Sequence, residues 1–472
     1  MSSRRTVLFI KPYFEDISIM PSLGIGYLAS VLRQRKHNVY IIDNSLEKLS
    51  YDSMRKHIES VSPDIVGITS STPMIYESIA MAKLSKEVSS DIVTLIGGCH
   101  PSVQYEEILR ENRFVDYVYI GEGEEGICDF VENVEPSKKT SFSNVAYIEN
   151  GAIVMGDPAP YTNHLDNLPF PAFDLFNMKG YFQKGTKFGF SQRTLHSLPI
   201  MATRGCPSKC TFCQRFLGNR FRYRSPDNLV SEIEYLMKKY GIHDFNIIDD
   251  NYTFFKKNVI QTVEEINLKG LQMKIRFPNG VREDFLDEEL LDALKSIGVY
   301  ELDFGFESGS QKVLDIMKKG KKLTEMGGKV ELCKRLGFKT SATFLFGTPG
   351  ETIEDMEETI CYALSIPLDR AAFGIVIPFP GTEVRRIAIN NKFLVHSEYD
   401  KYNPILERCR PAIQTNDWDV DQLVAMVQKA RKKFYMRPKY ILQNLSKVLT
   451  SGKVRMYSVM IYSMFRANGR RT

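Results

Sequence analysis

The sequence predicts an α/β protein with a doubly wound, Rossmann-like domain over residues 1–140, a partial (β/α)6 TIM-type barrel over 195–385 and a helical, basic region over 386–472. Residues 141–194 are expected to join the first two as a hairpin and linker. Three observations carry this reading. Short apolar runs alternate with segments of helical spacing, and the runs are continuous, as strands buried on both faces of a parallel sheet must be. Small and turn-forming residues gather where those runs end, the edge at which such sheets bind ligands. A second array of the same kind starts after a proline-studded stretch, 158–171, and stops near residue 385.

In the first array, residues 7–10, 39–42, 65–68, 92–96 and 117–120 read as strands, with helical spacing at 23–32 and 75–84. Asn150-Gly151, flanked by 145–148 and 152–154, is a type I′ hairpin signal. In the second array the strand segments are 200–203, 244–248, 274–277, 300–306, 339–346 and 372–377. Ser225-Pro226-Asp227 is a helix start, and Gly298 and Gly337 are helix stops. Six βα units fall short of a closed eight-fold barrel, so an open one is expected.

A length of 472 residues calls for more than one core. The 43% hydrophobic content suits a soluble chain, and no run of about 18 apolar residues is present to span a bilayer. The polar start, Met1 to Arg5, does not read as an export signal. Eight cysteines, three of them within eight residues, point to a reducing cytoplasm with free thiols or a metal site, not to a disulfide scaffold. Charge is uneven: 12 of the 62 Lys/Arg but one of the 57 Asp/Glu fall in 421–472, so the rest of the chain is net acidic. Such a chain is not expected to bind nucleic acid.

The segment Thr203-Arg-Gly-Cys206-Pro-Ser-Lys-Cys210-Thr-Phe-Cys213 closes the first strand of the second array. Three thiolates on one short loop can hold three corners of a 4Fe–4S cube and leave the fourth iron open to a small molecule. Structural zinc with a distant fourth ligand and ordinary buried thiols are the alternatives.

This motif resembles that of the radical S-adenosylmethionine (SAM) superfamily, whose spacing it reproduces with Phe212 as the aromatic before the third cysteine. The resemblance covers 195–385. It implies SAM contacts from Phe212, Asp249, Asp250, Asn251, Arg282, Glu307 and Ser308, which lie on the cysteine loop or at carboxyl ends of strands. It also implies a 5′-deoxyadenosyl radical that takes hydrogen from an unactivated carbon. Residues 1–140 look like the cobalamin-binding domain of the cobalamin-dependent branch, through Gly24, Ser70, Ser71, Thr72, Gly97, Gly98, Gly121, Glu122 and Gly123. The D-x-H-x-x-G motif is missing, and His100 reads as a loop residue. A bare flavodoxin-like domain is the alternative.

Together these imply a cobalamin-dependent radical SAM methyltransferase acting on a small molecule, with an external electron donor such as flavodoxin or ferredoxin. An oxidative cyclase like the anaerobic magnesium-protoporphyrin cyclase shares the layout; a non-catalytic cobalamin sensor or carrier would not need the three cysteines. A monomer in the cytoplasm is expected. The segment 432–438 and the apolar run 456–465 could lie on a membrane surface, which would favour a lipid or tetrapyrrole-like substrate, or pack as an ordinary C-terminal helix.

Overall fold

The computed structural model describes residues 4–442 apart from 16–18, 137, 160, 185–193, 403–409 and 439. The chain forms two compact units, one of residues 1–208, 214–281 and 287–301, the other of 209–213, 282–286 and 302–472.

The first unit opens with parallel strands β1 (Thr6–Lys11), β2 (Asn38–Asp43), β3 (Ile65–Thr69), β4 (Val93–Gly97) and β5 (Tyr117–Tyr119). Val7 to Ile10 are all buried, as their unbroken apolar character requires. Because β1 pairs with both β2 and β3, the winding reverses there, and a crevice opens beyond the carboxyl ends of β1 and β3. The hairpin does not belong to the linker. Its strands β6 (Val145–Glu149) and β7 (Ala152–Met155) pair antiparallel through β5 and complete a seven-stranded sheet that runs to Met155. Asn150 and Gly151 take the left-handed conformations, φ 50° and 79°, that a type I′ turn demands. The true linker lies along this domain. Ser30 Oγ donates to Phe170 O (2.6 Å), and Tyr181 Oη donates to the buried Asp43 carboxylate (2.6 Å).

Six parallel strands follow, three in each unit. In the first unit β8 (Leu198–Ile200) is separated from a two-residue ribbon made by β9 (Thr203–Arg204) and β10 (Arg222–Tyr223). β8 then pairs with β11 (Asp244–Ile247), which pairs with β12 (Lys274–Arg276). The single strand expected at 200–203 is thus broken, because the Ala202 N–H donates to the Asp249 carboxylate (2.8 Å) instead of a ladder. The helix Pro226–Tyr240 begins and ends as its sequence requires, capped by Ser225 and closed by left-handed Gly241. Its Glu232 is buried against Arg224, just past β10.

In the second unit β13 (Glu301–Glu307), β14 (Lys339–Phe346) and β15 (Arg370–Ile375) lie in chain order. Phe304, Phe306, Phe344, Phe346 and Phe373 form a buried ring layer on one face, while Gly305, Ser341 and Gly374 lie on the less buried face. The helix Val420–Tyr435 covers the ring layer: Phe434 is buried beside Phe373, and Tyr435 Oη donates to Ala371 O (2.7 Å). Lys433 approaches Glu357 (3.6 Å), and Arg437 stacks over Phe434 (4.0 Å). Within segment 432–438, Phe434, Tyr435 and Arg437 pack, while Lys432, Lys433, Met436 and Pro438 are exposed. The run 456–465 lies outside the described residues. No described helix is long and apolar enough to cross a membrane.

Replacing Glu232 with Ala strands a buried guanidinium and should cost about 3–5 kcal/mol. The denaturant midpoint should fall clearly, and Glu232→Gln, which keeps one acceptor for Arg224, should lose less.

Candidate active site

The cysteine loop leaves β9 and returns at β10. Gly205 enters it at φ 81°, where an added Cβ would lie 2.3 Å from Arg220 O, so glycine is required. The Cys206 N–H donates to Gly218 O (3.2 Å). Further along, the Cys213 N–H donates to Cys210 O (3.3 Å), and the Thr211 N–H donates to Met317 O (3.0 Å). None of the three thiols is in a disulfide; Cys206 and Cys210 are half-buried and Cys213 is exposed. Lys319 stands over the Phe212 ring (5.6 Å). Among the described residues no three ligating side chains converge as metal ligands, so it is the C-x3-C-x2-C spacing of three free thiols that suits a cluster taking one thiolate on each of three irons.

At the end of β11 three neighbouring residues do different things. Asp249 is fully engaged, its Oδ1 accepting from Ala202 N–H and its Oδ2 from Thr203 Oγ (both 2.8 Å). Burial pushes its pKa up to about 7 against those hydrogen bonds. Asp250 reaches solvent at its surface yet is crowded by neighbouring atoms, and that loss of hydration raises its pKa against a hydrogen bond from the Gly205 backbone. Asn251 is 1% exposed, and neither Nδ2 nor Oδ1 has a partner; Thr253 Oγ, equally buried, has none. An unpaired buried polar group costs about 1–3 kcal/mol, so these two orphans fit a polar ligand.

At the end of β13, Glu307 takes the left-handed φ of 68° and accepts from Lys319 Nζ (2.7 Å). Ser308 Oγ lies 3.0 Å from Thr359 Oγ and accepts from Ser310 N–H (3.1 Å), which makes it a turn-former. Arg282 grips Asp284 through two bonds (3.0 and 2.7 Å).

In the N-terminal sheet the expected residues line the strand ends. The Ser70 N–H donates to Gly97 O (2.8 Å), and Gly98, at φ 116°, comes so close to Ser70 O that a Cβ would lie 2.5 Å away. Thr72 Oγ is 3.2 Å from His100 Nδ1, with both side chains buried. Ser71 is half-buried, and Gly24 is exposed with open space where a Cβ would be. Small residues along an open crevice suit a broad, flat corrin. Gly121 donates its N–H to Ser102 Oγ (2.9 Å), and a Cβ on Gly123 would touch Leu28 at 3.0 Å. Glu122 differs from its neighbours: both its oxygens are held by Arg222 (2.5 and 2.8 Å), and Arg204 lies 3.3 Å away.

Arg204, Arg222, Lys319 and Lys321 were not singled out by the sequence as functional residues. Lys319 and Lys321 sit in a lysine run that reads as a solvated face, yet both are buried, on Glu307 and Glu283 respectively. An arginine inside the apolar segment 198–204 was the available signal, since it demands a partner.

Fold and site together define an α/β enzyme with a strand-end cysteine loop and a separate doubly wound cofactor domain. Residues 200–363 match the Radical SAM superfamily, and residues 17–131 match the B12 binding domain. The chain is 32% identical to the uncharacterized methyltransferase PH0819 of Pyrococcus horikoshii over 90% of each chain. It is 28% identical to the anaerobic magnesium-protoporphyrin IX monomethyl ester cyclase of Rubrivivax gelatinosus over 96% of this chain and 83% of the relative. In fold it is similar to the cobalamin-dependent SAM radical enzyme OxsB, with a TM-score of 0.74 at 16% identity over 98% of this chain and 71% of that one. The protein belongs to the radical SAM enzymes that carry an N-terminal B12-binding domain, and its cofactors are a 4Fe–4S cluster, SAM and cobalamin.

Asp249 gives a pH test. Its folded pKa, about 7, lies above the ordinary value of 3.8, so between these the folded state holds a proton that the unfolded state has lost. Stability should therefore fall as pH rises from about 4 to about 7. Asp249→Asn should flatten that decline in unfolding midpoints measured across the range.

Proposed function

We propose that this protein is a methyltransferase that places a methyl group on an unactivated carbon of a small molecule. The observation that carries the reading is one chain holding both the C-x3-C-x2-C loop and a B12-binding domain, with a relative named a methyltransferase aligned over nine-tenths of it. When bound, the cofactors supply an adenosyl radical and a transferable methyl group.

The chain's part is holding and positioning. Cys206, Cys210 and Cys213 would hold the cluster, with the Phe212 ring on the same loop lying under Lys319. The Asn251 amide and Thr253 hydroxyl offer SAM unspent hydrogen-bonding capacity. Glu307, neutralised by Lys319, and exposed Asp250 present carboxylates to it. Asp249 serves indirectly by fixing the bend at Ala202 and Thr203, and Arg282 and Ser308 support the strand ends. Ser70, Ser71, Thr72, Gly97, Gly98 and Gly24 line the corrin crevice, with Gly121 and Gly123 shaping its rim. An external one-electron donor of the flavodoxin or ferredoxin type reduces the cluster.

The cyclase relative, aligned over 96% of this chain, favours a second reading: oxidative cyclisation of a tetrapyrrole-like substrate without methyl transfer. Product mass separates them. With methyl-deuterated SAM, a methylated product gains one CH2 unit and carries the label; a cyclised one loses hydrogen and stays unlabelled. A preparation that retains no corrin after anaerobic reconstitution would sink the methyl-transfer reading.

Alanine at any of the three cysteines should abolish the cluster's visible absorption and bring 5′-deoxyadenosine down to background in a folded protein. Asn251→Leu should leave the ligand-free unfolding midpoint unchanged or raised, because it removes unpaired buried polar atoms, yet weaken SAM binding at least tenfold in a titration.

A further inference from the structure

In the antiparallel register of the β9–β10 ribbon, Arg204 lies directly opposite Arg222. Both guanidinium groups are about 95% removed from solvent. Two like charges facing each other across a ribbon repel, and burial denies them water. The anions that resolve this come from the loop after β5. Arg222 donates from Nη1 to Glu122 Oε2 (2.8 Å) and from Nη2 to Glu122 Oε1 (2.5 Å). Arg204 donates from Nη2 to Glu124 Oε1 (2.7 Å), with Nη1 3.3 Å from Glu122 Oε2, and its guanidinium stacks over Tyr27 (5.0 Å). Both carboxylates are as buried as the arginines, so two buried anions balance two buried cations.

Two further bonds from Arg222 reach backbone, while its buried Nε has no partner. Arg222 Nη2 also donates to Leu217 O (2.9 Å), one residue before the carbonyl that accepts from Cys206 N–H, and Nη1 donates to Thr162 O (2.8 Å) in the linker. Tyr161, beside Thr162, lies against both loops: a Cβ on Gly218 would meet its ring at 2.9 Å, and one on Gly121 at 3.5 Å. One guanidinium thus joins the neck of the cysteine loop, the linker and the rim of the corrin crevice.

We propose that Glu122, Glu124, Arg204 and Arg222 are positioning residues that set the neck of the cysteine loop in register with the Gly121–Gly123 rim of the cobalamin crevice. Glue alone does not explain the choice of residues, because well-packed apolar side chains serve as well as a buried ion pair or better. What the charges add is direction. A bidentate carboxylate–guanidinium pair has one good geometry, and a slip of the rim would leave two cations unpaired. The proposal rests on the cofactor assignment made above, and its consequence is that radical formation and methyl transfer separate when the register is lost.

The test uses full-length Glu122→Gln and Arg222→Lys, reconstituted anaerobically beside the parent. Hydrogen exchange is read first, without cofactors. Amides in 120–124 and in 204–206 with 217–222 should exchange at least tenfold faster together in either variant, while β1 and β14 keep their protection. With cofactors, iron, sulfide and corrin contents should match the parent, 5′-deoxyadenosine should still form, and the ratio of 5′-deoxyadenosine to methylated product should rise at least tenfold. The magnetic interaction between cob(II)alamin and the reduced cluster, measured in frozen solution, should broaden or shift, although each centre alone gives its parental spectrum. Unchanged joint exchange, or an unchanged interaction and product ratio in both variants, overturns the proposal. A parent chain without corrin overturns the methyl-transfer reading instead, and hydrogen exchange still decides whether the two loops are joined. A variant that unfolds is replaced by Glu124→Gln, judged by the same criteria.

Discussion

Two arginines facing each other across a two-residue ribbon, out of reach of water, are the constraint around which the first unit is organised. Neither could be buried without an anion, and the chain brings both anions from a loop some 80 to 100 residues earlier. The doubly wound domain is therefore more than a neighbour tethered in sequence. Its fifth strand ends in the charges that let the cysteine ribbon close. The linker is drawn in by the same group, because the two Arg222 Nη atoms have more donors than one carboxylate can use and also donate to Thr162 and Leu217 carbonyls.

The same principle recurs wherever a charge is buried. Asp249 is spent on an N–H and a hydroxyl at the β8–β9 bend, Glu232 answers Arg224, and Lys319 answers Glu307. Against this background Asn251 stands apart. These charged groups are paired, though Glu232 Oε1 and Arg222 Nε lack partners, whereas at this strand end both polar atoms of the Asn251 amide and the Thr253 hydroxyl are left unsatisfied. That is the pattern of a site whose last partner comes from outside the chain. The distinction separates residues that hold the fold from those that meet ligand, and it divides a run of three consecutive polar residues, Asp249 to Asn251, into a brace, an exposed carboxylate and a buried orphan.

Much of this was legible beforehand. The cysteine spacing, the strand–helix alternation, the type I′ turn at Asn150-Gly151 and the helix start at Ser225 depend on residues a few positions apart. The readings that changed depend on distant pairs. The hairpin joined the N-terminal sheet because β5 offered it an edge, which the 141–155 sequence cannot show. The expected strand at 200–203 broke because Asp249, 47 residues away, captured the Ala202 N–H. The partner of Glu122 is likewise set at a distance, since both its oxygens accept from Arg222, 100 residues on.

The sequence by itself determined the chemistry: three thiols at fixed spacing, small residues at strand ends, and a second α/β array to carry them. Those follow from local propensity and covalent spacing, which survive without knowledge of the fold. Only the tertiary structure decided which charged residues brace and which face ligand. A carboxylate or lysine looks the same in a sequence whether it is solvated, paired or orphaned, and the difference lies in what other strands bring within about 3 Å of it.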